Sequence, residues 1–162
     1  MARPIDVAPN SPRELVMARI IEAPRTVVYR CWTDPELLMQ WFAPKPWQVT
    51  DAKLDVRPGG LNSFMMVGPD GQAFPNAGVY LDVVPNERVV ITDAFSSAWV
   101  PSDKPFMVAE MTFEDHSGGT LYVARARHWS DEDLKAHEEM GFHTGWGQCA
   151  DQLEALARTI GA

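Results

Sequence analysis

The sequence predicts an α+β domain in which a curved antiparallel sheet of about six to seven strands surrounds a long C-terminal helix. Between residues 47 and 128, short runs rich in Val, Ile and aromatic residues alternate with tight turns, which is typical of antiparallel hairpins. One long amphipathic stripe follows near the C-terminus. It is the only predicted element long enough to cover one face of the sheet.

The length and composition fit one globular domain. The chain has 162 residues, of which 46% are hydrophobic and 22% are charged. We divide it into a flexible, proline-rich leader over residues 1–12 and a folded domain over residues 13–162. The formal net charge of −8 disfavours nucleic acid as a partner, because polyanions are bound by clusters of Lys and Arg.

The compartment is predicted from the cysteines and from the N-terminal residues. Cys31 and Cys149 both lie in predicted helices, and no apolar signal segment precedes the domain. Two thiols in such a chain favour the reducing cytoplasm, although the sequence alone leaves a disulfide between them open. No run approaches the ~20 apolar residues that span a bilayer, so we expect no membrane insertion.

The first part of the folded domain contains one strand and two short helices. Residues 14–22 are apolar and partly β-branched, which predicts the first strand. Pro24 suits the first position of a helix, where its missing N–H costs nothing. Asp34 followed by Pro35 signals a second helix start, and Pro44 ends that helix.

The remaining strands and the last helix follow in order. A longer loop is predicted over residues 96–105, and Ser130 with Asp133 resembles a capping box at the start of the last helix. The apolar stripe of that helix consists of Phe142, Trp146, Cys149, Leu153, Leu156 and Ile160. The predicted strands are 48–56, 61–68, 77–84, 88–94, 106–113 and 120–128.

No residue pattern predicts catalysis, a cofactor or a metal. The chain has no Gly-x-Ser-x-Gly motif and no phosphate-binding loop, and Pro58-Gly59-Gly60 lies between strands, where it predicts a turn. His137 and His143 are six residues apart, about 240° around a helix, so they do not share a face. We therefore predict no catalytic residues, no cofactor and no metal ligands.

Strand alternation predicts which side chains face the space between sheet and helix. Because alternate residues share a face, Arg125 and Arg127 should face water and the Tyr122–His128 set should face inward. Ala124 and Ala126 would then leave volume unfilled. Methionine adapts to irregular apolar ligands, whereas a buried amide needs a polar partner. The predicted ligand-binding residues are Asn62, Phe64, Met66, Tyr80, Met107, Met111, Phe113, Tyr122, His128, Phe142 and Trp146.

Several short stretches, in this order and spacing, resemble a known superfamily. They are Ala23-Pro24, residues 32–36, 40–44, 54–60, 78–80, 85–88, 112–115, Gly119-Thr120 and Gly145-Trp146. The chain resembles the START-like (SRPBCC) superfamily and, within it, the bacterial homologues of the activator of heat-shock protein 90 ATPase. This resemblance implies a helix-grip fold whose cavity holds an apolar molecule.

The resemblance and the residues together leave three functional hypotheses. The first is a non-catalytic protein that binds a small apolar molecule. The second is a cyclase or hydrolase-like enzyme that uses Asn62, Tyr80 or His128 to handle a proton or to stabilise an oxyanion. The third is a chaperone-interacting module with a role in the stress response. The eukaryotic co-chaperone carries a further N-terminal domain, for which these residues leave no room. The oligomeric state stays open, with a homodimer among the alternatives.

Overall fold

A computed structural model describes residues 1–160, so the last two residues of the predicted domain lie outside it. The structure confirms the predicted α+β class and the curved antiparallel sheet. Its main sheet has eight strands in the order β1-β2-β10-β9-β6-β5-β4-β3, more than the six to seven predicted. The strands of this sheet are β1 (Arg3–Pro4), β2 (Glu14–Ile21), β3 (Gln48–Leu54), β4 (Leu61–Val67), β5 (Ala73–Val84), β6 (Arg88–Thr92), β9 (Met107–His116) and β10 (Gly119–His128).

The additional strands lie in two segments for which the sequence predicted none. β1 lies in the predicted leader, where Arg3 pairs with Ile20 of β2 and the side chain of Ala2 is buried. The predicted loop 96–105 includes most of a small hairpin of β7 (Phe95–Ser97) and β8 (Val100–Pro101). Both pairs are too short to give an alternating pattern that a sequence could reveal.

The second and third helices begin after the capping residues that the sequence predicts, whereas Pro24, predicted at the first position of the first helix, is its N-cap. α1 spans Arg25–Thr33 and α2 spans Pro35–Leu38, with the Asp34 side chain accepting a hydrogen bond from the N–H of Glu36. α3 spans Asp131–Glu139, and the Ser130 hydroxyl accepts from the N–H of Asp133 at 3.1 Å. These contacts satisfy amide groups that the first turn of a helix leaves free.

The C-terminal helical region is broken once. Gly141 adopts a left-handed conformation with φ of 92°, so α3 ends before it and α4 (Phe142–Ala157) starts after it. Leu153 and Ala157 of α4 are buried against the sheet, while Trp146 and Cys149 are half-buried beside the same core. Cys31 and Cys149 are both free thiols.

The outer face of the sheet carries a ladder of ion pairs across five strands. Glu14 of β2 is fully buried and contacts Arg125 and Arg127 of β10, each at 2.7 Å. Arg127 also contacts Glu110 of β9 at 2.8 Å, and Glu110 lies 3.9 Å from Arg88 of β6. Arg88 in turn pairs with Asp82 of β5, and the five strands are thereby linked outside the core. The two β10 arginines are on the outer face, as predicted, although they are partly buried.

Candidate functional site

The inner face of the sheet is incompletely covered at the end where α4 begins. Register and alternation place Phe64, Met66, Ile91 and Met107 on this face, yet each keeps part of its surface exposed. Trp146 of α4 is half-buried as well. We call these five residues, together with Asn62, the open end of the inner face.

Small residues form the inner surface beside the open end. Gly78 of β5, Ala109 of β9 and Ala126 of β10 are buried at inward positions. Because none of these residues has a side chain longer than a Cβ atom, they fill little of the space between the larger side chains on this face. This arrangement agrees with the sequence-based expectation that alanines on β10 face inward.

The segment after α2 forms an aromatic rim. The side-chain amide of Gln152 in α4 donates to the carbonyls of Trp41 and Ala43, at 2.9 and 2.7 Å, and so holds this segment against α4. The Phe42 ring meets Phe64 edge-on, with centroids 5.3 Å apart. The rim therefore connects α4 directly to the open end.

Tyr80 carries the least satisfied polar group of the inner face. Its side chain is 1% exposed, and its hydroxyl has no hydrogen-bond partner among the described residues. Burial raises the pKa of Tyr80 to about 12, and the polar amide of Asn62 nearby offsets part of that rise. Asn62, the polar member of the open end, is itself nearly buried, with 7% of its surface exposed.

A histidine pair forms the opposite side of the open end. Nδ1 of His128 donates to the carbonyl of Phe106 at 2.8 Å, because a carbonyl can only accept. Nε2 of His128 lies 2.9 Å from Nδ1 of His137 in α3. Burial, followed by the proximity of His128, lowers the pKa of His137 to about 4. The sequence reasoning considered His137 only as a metal ligand and missed this pairing, because no local pattern connects α3 to the end of β10.

Four of the predicted ligand-binding residues lie in the closed part of the core. Met111, Phe113, Tyr122 and Phe142 are at most 1% exposed, so they contact protein atoms on all sides. The Tyr122 hydroxyl accepts a hydrogen bond from Nε1 of Trp32 at 3.1 Å. Tyr80 is equally buried, at 1% exposed, but lies near Asn62. The other six lie at the open end or, for His128, beside Met107 in register: Asn62, Phe64, Met66, Met107, His128 and Trp146.

Of the three candidate proton-handling groups, Tyr80 lies close to Asn62, but Asn62 and His128 are far apart along the sheet. Asn62 lies on β4 and His128 on β10, and three strands separate these two strands in the sheet. Four inter-strand spacings correspond to about 19 Å along the sheet. The side chains of Asn62 and His128 are therefore too far apart along the sheet for direct proton transfer, which needs hydrogen-bond distance.

Two surface hollows lie elsewhere on the molecule. A hollow of about 470 Å³ is next to the β9–β10 turn and Ile21, and one of about 350 Å³ lies between β1 and α4. None of the eleven predicted ligand-binding residues lines either of them. Within residues 1–160, no cluster of three or more His, Cys, Asp or Glu residues is arranged to hold a metal ion.

Comparison with known proteins assigns the family. The family model described as "Activator of Hsp90 ATPase homolog 1-like protein" matches residues 22–158. The chain belongs to this family. No curated protein matches the chain.

Among the helices of residues 1–160, none has both the length and the apolar character needed to cross a bilayer.

Solved structures support the family assignment and its fold. A crystal structure of a protein from Nitrosomonas europaea is 40% identical with a TM-score of 0.87, covering 90% of this chain and 94% of that one. A Mycobacterium smegmatis protein is 25% identical with a TM-score of 0.80, covering 98% and 99%. An AHSA1-like protein from Aeromonas hydrophila is 20% identical with a TM-score of 0.70, covering 90% and 92%, and shows the fold alone. The predicted resemblance to the activator of heat-shock protein 90 ATPase family is thereby confirmed.

Proposed function

We propose that this family member binds a small, mainly apolar molecule at the open end of the inner face. The observation that carries this proposal is that Phe64, Met66, Ile91 and Met107 lie on the inner face of the sheet but remain partly exposed. An apolar side chain on the buried face of a sheet normally loses its accessible surface, because burial stabilises it by about 25 cal/mol per Å². A ligand would cover the surface that the fold itself leaves exposed.

The composition of the open end favours an adaptable apolar ligand with one polar atom. Two methionines offer flexible thioethers that fit irregular shapes. Asn62 and the buried Tyr80 hydroxyl supply the polar groups beside them, and the hydroxyl has no partner in the described residues. An orphaned buried hydroxyl costs free energy, which a hydrogen bond to Asn62 or to a ligand would recover.

The experiment titrates the protein with the neutral fluorescent probe N-phenyl-1-naphthylamine. We expect saturable binding that Met66→Asp weakens roughly tenfold, equivalent to about 1.4 kcal/mol. Met65→Asp is the matched control, because Met65 is the preceding residue on the same strand and faces outward. Equal binding by both variants, or no saturable binding by the unaltered protein, would contradict the proposal.

A second copy of the chain could also cover the open end. We therefore propose to measure whether the protein is a monomer or a dimer alongside the binding experiment. Light scattering on the unaltered protein and on Met66→Asp separates the two cases. A dimer that Met66→Asp dissociates would assign the surface to a second copy of the chain.

We also propose a cytoplasmic location, because both cysteines are free thiols.

A further inference from the structure

A second site is indicated on the other side of α4, where an arginine emerges from the inner face of β2. Alternation places Arg19 on the same face as Met17 and Ile21, opposite Tyr122 of β10. Its Nη1 donates to the carbonyl of Ala18 at 2.8 Å. None of the ion pairs among residues 1–160 includes Arg19, so its guanidinium group has no carboxylate partner there.

The sequence of α4 makes room for this guanidinium. A Cβ atom on Gly147 would lie 2.7 Å from Nη2 of Arg19, closer than atoms approach without displacement. Glycine in a helix interior is less favourable than alanine, so this position carries a conformational cost. Gly145, two residues earlier in α4, has no such neighbour, since its nearest contact is a Pro44 side-chain atom at 3.9 Å.

The guanidinium borders the hollow of about 350 Å³ between β1 and α4. Two arginines and one carboxylate are among the residues around this hollow, so its local charge is opposite to the net charge of the chain. The carboxylate already has a partner, because Oδ1 of Asp151 accepts from the backbone N–H of Ala2 at 2.8 Å. The polar residues of the hollow include Arg3, Arg19, His143, Thr144, Gln148 and Asp151.

We propose that Arg19, admitted by Gly147, is the anchor of a binding site for a small oxyanion, a carboxylate or a phosphate group. The planar guanidinium fork matches two oxygen atoms of either group. Arg3 supplies a second positive charge on the same hollow. This site lies on the far side of α4 from the open end and does not depend on the function proposed there.

The test measures the binding of inorganic phosphate and of acetate to the full chain by nuclear magnetic resonance, with the Gly147 amide as the local probe. We expect saturable shifts at millimolar concentration for at least one anion. Arg19→Gln should weaken that binding at least about tenfold, whereas Arg57→Gln should leave it unchanged, because Arg57 is exposed and paired with Asp55. Saturation by phosphate but not acetate, or the reverse, identifies which oxyanion the site takes.

A second variant protects the test against a folding defect. Gly147→Ala places a methyl group where the guanidinium lies and leaves the charge of Arg19 intact, so anion binding should fall while the thermal unfolding curve stays cooperative. Shifts that do not saturate, or that persist unchanged in both Arg19→Gln and Gly147→Ala, would overturn the proposal.

Discussion

His128 and His137 lie with Nε2 and Nδ1 2.9 Å apart, joining the end of β10 to α3. Nδ1 of His128 donates to the carbonyl of Phe106, and a single proton lies between Nε2 of His128 and Nδ1 of His137. The His137 ring is also surrounded by the rings of Phe106, Phe142 and Trp146. A second proton on His137 would introduce charge into this apolar surrounding.

The first prediction concerns stability at mildly acidic pH. The pKa of His137 is lowered from 6.5 to about 4, so the unfolded chain binds a proton that the folded chain does not. This contribution to stability is complete above pH 6.5 and is lost as the pH falls towards 4, by at most about 1.4 kcal/mol per pH unit. Urea unfolding across this range should show the slope, and His137→Phe should reduce it. An unchanged slope in that variant would contradict the assignment to His137.

The second prediction concerns the buried carboxylate of Glu14. Its burial works to raise the pKa, but hydrogen bonds from the Asn10 amide, Arg125 and Arg127 lower it below 4.5 overall. Glu14→Gln should therefore cost about 3 kcal/mol in the free energy of unfolding at neutral pH, because Arg125 loses its carboxylate partner and Arg127 keeps only Glu110. In the unaltered protein this contribution disappears as the pH falls below 4.5. Glu114→Gln is the control, since Glu114 is exposed, and it should change stability by less than about 0.5 kcal/mol.

The third prediction compares two glycines of α4. Gly145→Ala should stabilise the protein by about 0.5–1 kcal/mol, because its Cβ meets only an ordinary contact. Gly147→Ala should gain less, because the methyl group must displace the guanidinium of Arg19. In an Arg19→Ala background, the two substitutions should become similar. Chemical denaturation of the five variants measures these differences, and an equal gain in the unaltered background would refute the steric argument.

The fourth prediction compares two buried tyrosines. Tyr80→Phe removes a hydroxyl without a hydrogen-bond partner and should leave stability unchanged or raise it by up to about 1 kcal/mol. Tyr122→Phe removes the acceptor of the Trp32 indole N–H and should cost about 1–2 kcal/mol. Thermal unfolding of both variants decides the matter. A larger loss for Tyr80→Phe than for Tyr122→Phe would mean that the Tyr80 hydroxyl has a partner after all.

Much of the fold follows from local sequence signals. The capping residues Asp34 and Ser130 mark the starts of α2 and α3 correctly. The alternation in β10 assigns Arg125 and Arg127 to the outer face, where the ion pairs are found. Such signals are strong because a period of two residues or a capping side chain acts within a few residues of the chain.

The candidate site could be predicted only in part, because it depends on contacts between distant segments. Gly147 and Arg19 lie on elements far apart in sequence, and the His128–His137 contact depends on how α3 folds back on the end of β10, so no local pattern reveals either contact. Alternation correctly placed Met107 and Met111 on one face, but it could not show that Met111 is fully buried while Met107 is partly exposed. That difference depends on which part of the sheet α4 covers.

The ion-pair ladder on the outer face has a consequence for how the strands find their partners. Each pair joins side chains at fixed positions on neighbouring strands, as Arg127 with Glu14 and Glu110 shows. Sliding β10 by a single residue would turn its arginines towards the apolar interior, leaving Glu14 without a cation and Glu110 with Arg88 alone. The ladder of ion pairs therefore helps to specify the register of β10 against β2 and β9, because a shifted strand would bury unpaired charges.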